Sequence, residues 1–163
     1  MTVVRITNAN VSGLSTPIYI ELWATKLDHS MDNDVVNFFL PTAPAEWLTA
    51  GVPTNYKRSL FDMKNITESY AVNAELDVDS NRDSSWDPDP LTTVNRVAAN
   101  MRTLFQTGGT ITFYYLDGTD TYQLEGMMTT LKIGEDQQDQ GELSPPRILG
   151  CQFTFLVGQN FEE

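Results

Sequence analysis

The chain has one cysteine and one histidine among its 163 residues. A single cysteine excludes an internal disulfide. One residue of each type is too few for a zinc site, which draws on several His or Cys ligands. The compartment is expected to be reducing, or indifferent to redox state. Basic residues are also scarce: four Lys and six Arg stand against 22 acidic residues, for a net charge of −12. A protein that grips duplex nucleic acid needs a basic footprint to neutralise phosphates, and this composition lacks one. No apolar run approaches the ~20 residues that span a bilayer as a helix. The opening TVVRITNA reads as a strand rather than a leader, so no signal peptide is expected. Neither GxxxxGK[ST] nor GxGxxG occurs to cradle a phosphate, and GxSxG, the elbow of many serine hydrolases, is missing too.

What is present is a globular composition, 40% hydrophobic, of a length that suits one domain spanning 1–163. Its acidity has three physical sources: colloidal solubility, a hydrated surface suited to high salt, or a wall that repels nucleic acid and lets it slide past.

Strands dominate the pattern. Residues 2–8 read as a first strand. In 18–27, Ile18, Ile20, Leu22 and Ala24 share one face, while Tyr19, Glu21, Trp23 and Thr25 share the other, which is the period of a half-buried strand. The next stretch, about 28–56, holds VVNFFLP and TAPAEWLTAGVPTNY and reads as a long loop, with a short strand over 35–40 and a helical turn over 45–50. Loops of that length are commonly functional. Residues 57–65 form a short strand leading into ITESYAVNAELDVD (66–79). There Ile66, Tyr70, Val72, Ala74, Leu76 and Val78 fall on one face, with Glu68 as the break. The thirteen steps from residue 66 to residue 79, at ~3.3 Å each, give ~43 Å, against ~5–6 residues for an ordinary strand. A helix follows, with Asp87 or Asp89 as cap, Pro88 or Pro90 in its first turn, and Leu91, Val94, Val97, Ala98, Met101, Leu104 and Phe105 as its apolar stripe. Gly108 and Gly109 end it. Then come a strand at 110–116, a turn at Asp117-Gly118, a long strand at 121–133 bulged at Gly126, and a last strand at 147–158 with Leu149, Cys151, Phe153, Phe155 and Val157 on one face. The expected order is β-β-loop-β-β-α-β-β-β.

Chemistry-bearing residues are few, and no catalytic residue is expected. His29 lies in the polar run KLDHSMDND without a triad partner in sight. Cys151 sits on an apolar face and reads as a small buried residue. Asp77, Asp79 and Asn81 match the first, third and fifth positions of a calcium loop, but Arg82 replaces its glycine and Pro88 its closing glutamate. That leaves at most a loose cation site around Asp77, Asp79 and Asp83, beside the plain reading of a solvated loop. No cofactor is expected. Trp23, Trp47 and Trp86 are dispersed, without interleaved basic residues, and suit interface anchors better than base-stacking platforms.

SLFDMKNITESYAVNAELDVDS, a proline-started helix, GGTITFYYLDGTDTYQLEGMMTTLKIGED and the closing PRILGCQFTFLVG together resemble the tail tube proteins of tailed viruses. The resemblance covers residues 57–158. It implies a mainly β fold with one α-helix, a β-sandwich or split barrel, whose long strands line an inner β-barrel in a hexameric ring. The rings stack into a tube in the virion tail, assembled in the host cytoplasm, through which DNA passes during ejection without specific binding. Glu68, Glu75 and Asp77 of the 66–79 strand would face the lumen, or the polar face of 121–133 would. Phe38, Phe39 and Trp47 in the 28–56 loop would contact the next ring. The acidity and low Lys count resemble a halophilic, haloarchaeal host. A tail terminator, a distal tail protein or a baseplate ring shares the fold and stands as the alternative. A carbohydrate-binding domain using Trp23, Trp47 or Trp86, and an enzyme using an acid pair, are the readings from other classes.

Overall fold

The computed structural model describes residues 2–39, 58–89, 93–107, 109–117, 120–135 and 148–158. The elements are β1 (Thr2–Thr7), β2 (Tyr19–Phe39), β3 (Arg58–Leu76), a 3-10 turn at Val78–Ser80, β4 (Asn81–Arg82), α1 (Val94–Gln106), β5 (Ile111–Asp117), β6 (Asp120–Glu135) and β7 (Leu149–Val157). The chain divides into two compact units, Met1–Ser30 with Glu68–Glu163, and Met31–Thr67.

Seven strands make one sheet in the order β1-β5-β6-β7-β3-β2-β4, and β1 pairs with β2 as well. The hydrogen-bonded order therefore returns to its start and the sheet is ring-like. Every described register is antiparallel, from Thr2↔Ala24 through Val3↔Leu116 to Leu76↔Leu149. Such closure leaves few unpaired edges, which are otherwise a liability. The inward positions are those the alternation picks out: Val4 and Ile6, Ile20 and Leu22, Val72 and Leu76, Phe113, Phe153 and Phe155, all at most 2% exposed. Val94, Val97, Ala98, Met101 and Leu104 of α1 join the same cluster. An amphipathic helix thus adds its stripe to the inner face of the sheet, which is how one helix and one sheet share a core.

Several expectations shift. The strands expected at 57–65 and 66–79 are one, the 19-residue β3. The loop expected from residue 28 begins later, because β2 runs on to Phe39. Its alternation slips once: Ala24 is buried, and Leu27, three residues on, packs against the same core. Past that slip the polar run KLDHSMDND still forms strand backbone, since ladder pairing with a neighbour overrides weak β-propensity. The helix starts at Val94 with Thr93 as N-cap and no side-chain cap bond. Asp87 and Asp89 are drawn into sheet contacts instead: Pro88 bridges Arg82, and the Asp89 amide donates to the Asn81 carbonyl (3.1 Å). Both aspartates precede prolines, which favour extended backbone. Pro90 and Leu91 lie outside the described residues, as does Gly108.

The bulge in β6 falls between Met128 and Thr130 rather than at Gly126. Gly126 has a different reason to be glycine. A Cβ there would run into the Leu156 carbonyl of β7 and the Phe155 ring, so its absence lets backbone and ring close up. Asn8 closes the first connection. Its Oδ1 accepts from the Ile18 amide (2.7 Å) and its Nδ2 reaches the Thr107 hydroxyl at the end of α1 (3.4 Å). At 1% exposure this side chain can stay buried only because those partners satisfy it.

Candidate functional site

The unit Met31–Thr67 holds the feature with the least internal explanation. Its described part is the outer half of β2, Met31 to Phe39, and the first half of β3, Arg58 to Thr67. The pairing of β1 with β2 stops at Ala24, and that of β7 with β3 stops at Ser69. Among the described residues, no further strand covers the outer edge of either one. Two-stranded ribbons are marginal in water, and open edges are templates for pairing with another chain. This ribbon also shows apolar side chains to solvent: Met31 at 58%, Val35 at 44% and Ile66 at 59%. Phe38 and Phe39 close β2, with side chains outside the described residues, and Trp47 lies outside them altogether.

The three acidic residues expected on one lumen face are not brought together. Glu68 has the core-side parity of Tyr70 and is engaged within the chain. It meets His29 Nε2 at 2.8 Å and accepts from the Tyr70 hydroxyl at 3.1 Å, while the His29 ring stacks on Tyr70 at 4.4 Å. Burial foremost, then bonding to Tyr115 and Glu68, pushes the Tyr70 phenol far above its ordinary value. Glu75 is exposed on the opposite face, along an open cleft of about 420 Å³ shared with Asn73, Lys132 and Gln152. Asp77 caps the 3-10 turn, accepting from Ser80 Oγ while its own amide donates to that oxygen. His29 is thus a strand residue rather than a loop residue. Only the slip between Ala24 and Leu27 could have signalled its side of the sheet.

The aspartate-rich segment is tied up by its own backbone. Asp83 Oδ1 accepts from the Ser85 hydroxyl (2.6 Å), the Ser85 amide (2.8 Å) and the Asp87 amide (3.3 Å). The Ser85 bonds hold its carboxyl below the usual range. The stability this adds is present above the unfolded carboxyl's titration and is lost as pH falls through the folded one. Among the described residues no three His, Cys, Asp or Glu side chains converge as metal ligands.

That turn presents Trp86 at φ 64°, a left-handed conformation rare for a bulky residue. The ring is half-buried rather than free. It meets Tyr19 edge-on at 5.4 Å and Tyr114 at 5.8 Å, with the Arg5 guanidinium 5.1 Å over it. Beneath it runs a charged triad: Arg5 Nε donates to Glu21 Oε2 and Arg82 Nη2 to Glu21 Oε1, both at 2.7 Å. Glu21 is only 7% exposed although it sits on the polar face of β2. Sequence alternation placed it on that face correctly, but could not show that Arg5 and Arg82 both close on it.

Cys151 is buried among the core side chains, and burial pushes its thiol up to about 12. A thiol held protonated is neither a nucleophile nor a metal ligand. The expected result with a chromogenic disulfide at pH 8 is no release from the native protein and one equivalent after unfolding in guanidinium. Fast native labelling would mean that β7 opens readily.

No protein-family model matches this chain, and no curated protein is similar to it.

Proposed function

We propose that this chain is a structural subunit of a virus tail tube, six copies closing a ring of split-barrel subunits and rings stacking around a channel for DNA. The observation that carries this reading is the two-stranded ribbon of β2 and β3, with edges that no described strand covers and exposed Met31, Val35 and Ile66. Pairing between copies would satisfy those edges. A chain of net charge −12 would keep DNA mobile by repulsion, with Glu75 an exposed carboxylate of β3. Phe38, Phe39 and Trp47 are the proposed ring-to-ring contacts. The protein acts in the virion and has no enzymatic role of its own.

Negative-stain microscopy of the purified protein across a salt series tests the proposal. Stacked rings or tubes are expected. Isolated rings at every condition would make it a terminator or distal ring, and a monomer throughout would overturn the proposal. A triple variant, Met31→Ser, Val35→Ser and Ile66→Ser, is expected to keep its circular dichroism and melting temperature, because all three side chains are exposed, yet to lose assembly. Normal assembly by this variant would remove the ribbon from the contact.

A further inference from the structure

One groove stays half-filled beside the last turns of α1. Arg102, Phe105 and Gln106 line it from the helix, and Leu131, Lys132 and Ile133 from β6, around about 390 Å³. Phe105 belongs to the apolar stripe, four residues and about one turn beyond Met101. Yet Met101 is fully buried while Phe105 is 38% exposed. Leu131 and Ile133 pack against the core but are only partly covered. Three apolar side chains therefore form a floor that the described residues do not close over.

The charges on the rim identify the occupant. Arg102 lines the groove from α1 and Lys132 from β6, where alternation turns Lys132 away from Leu131 and Ile133 so that it also borders the Glu75 cleft. Helix α1, with the sequence VNRVAANMRTLFQ, carries two arginines and no acid. In a chain with 22 acidic and 10 basic residues a helix with two arginines and no acid is a local reversal of sign. Copies of a −12 protein repel one another, so contact between them needs places where opposite charges meet. We infer that this groove receives an acidic segment of a second copy of the chain, with one apolar side chain on Phe105, Leu131 and Ile133 and carboxylates against Arg102 and Lys132. The inference rests on the assembly reading above and adds to it a surface outside the ribbon. Carboxylates at the rim steer the approach and the apolar floor holds the contact, the usual division of labour at an interface.

The test is the concentration at which the full chain assembles, followed by light scattering, for wild type, Arg102→Glu/Lys132→Glu and the milder Arg102→Gln/Lys132→Gln. Both side chains are exposed, so melting temperatures of the variants are expected within ~2 °C of wild type. The charge-reversed variant is expected to need at least ~10-fold more protein to assemble, with the neutral variant in between, a tenfold step being one power of ten in the association constant. If wild type assembles and both variants assemble within twofold of it, the inference falls while the tube reading stands. If the variants lose melting temperature with unchanged assembly, the groove is filled by the chain's own residues and the inference also falls. A wild type that never assembles overturns both readings.

Discussion

Replacing Glu21 with alanine is expected to lower stability by about 3–5 kcal/mol, the cost of breaking a buried ion pair by removing one partner. The carboxylate is almost wholly covered and serves two guanidiniums at 2.7 Å each. Arg82 is covered nearly as deeply, with its side chain 12% exposed, whereas Arg5 is a third exposed. Alanine at position 21 therefore leaves Arg82 as a buried cation without its counter-ion. Its Nε already lacks a hydrogen-bond partner, so the group has little other support among the described residues. The structural damage should be local but strategic. Arg5 and Glu21 pair across β1 and β2, and Arg82 reaches in from β4 opposite Tyr19, so the triad ties together the strands that bring the sheet back on itself. Urea unfolding measures the effect directly. Glu21→Gln keeps the shape and isolates the charge, and should cost nearly as much. Changing all three positions to apolar residues of similar size should restore most of the loss, because nothing charged is then left buried. A Glu21→Ala cost below about 1 kcal/mol would place the triad with surface salt bridges and would mean that water reaches it.

The strands and the helix were legible because each carries a hydrophobic period. Val4 and Ile6, Ile20 and Leu22, Val72 to Leu76 and Leu149 to Phe155 alternate as half-buried strands do, and each set is buried. Val94 to Leu104 repeats as a helix does, and it is one. The failures share a cause: pairing between distant segments decided what local composition could not. Residues 28–34 are nearly all polar and read as loop, yet they pair as strand. Asn81 and Arg82 form β4 only because Tyr19 and Ile20 lie opposite them. Asp87 and Asp89 have cap chemistry but serve the contact with Arg82 and Asn81. Of the three acids expected to face a lumen, Glu75 and Asp77 share one parity of the strand, while Glu68 has the parity of Tyr70 and meets His29. The Arg5–Glu21–Arg82 triad was illegible, since nothing in the spacing of residues 5, 21 and 82 announces that their side chains meet.

Phe113→Ala is the core substitution with the largest expected loss, about 3–5 kcal/mol for a buried phenylalanine. The ring is 0% exposed and stacks on Phe155 with centroids 4.8 Å apart. It also meets Tyr70 at 5.5 Å, Tyr115 at 6.2 Å and Phe153 at 6.3 Å. These neighbours come from β3, β5 and β7, and β5 itself is bonded to β1 and β6. Alanine would therefore open a void touching rings from three strands, and rings fixed by cross-strand registers cannot all move in to fill it. At ~2–4 °C per kcal/mol for a domain of this size, the melting temperature should fall by about 10 °C. Phe113→Leu keeps most of the volume and should cost clearly less. The same void should reach the surface through Tyr70, whose ring supports His29 and whose hydroxyl donates to Glu68. Exchange of the His29 and Glu68 amides should accordingly quicken in Phe113→Ala and not in a surface control such as Thr103→Ala. A fall of only one or two degrees, with those amides unchanged, would mean that the core closes over the void, and the aromatic cluster would then be filling rather than framework.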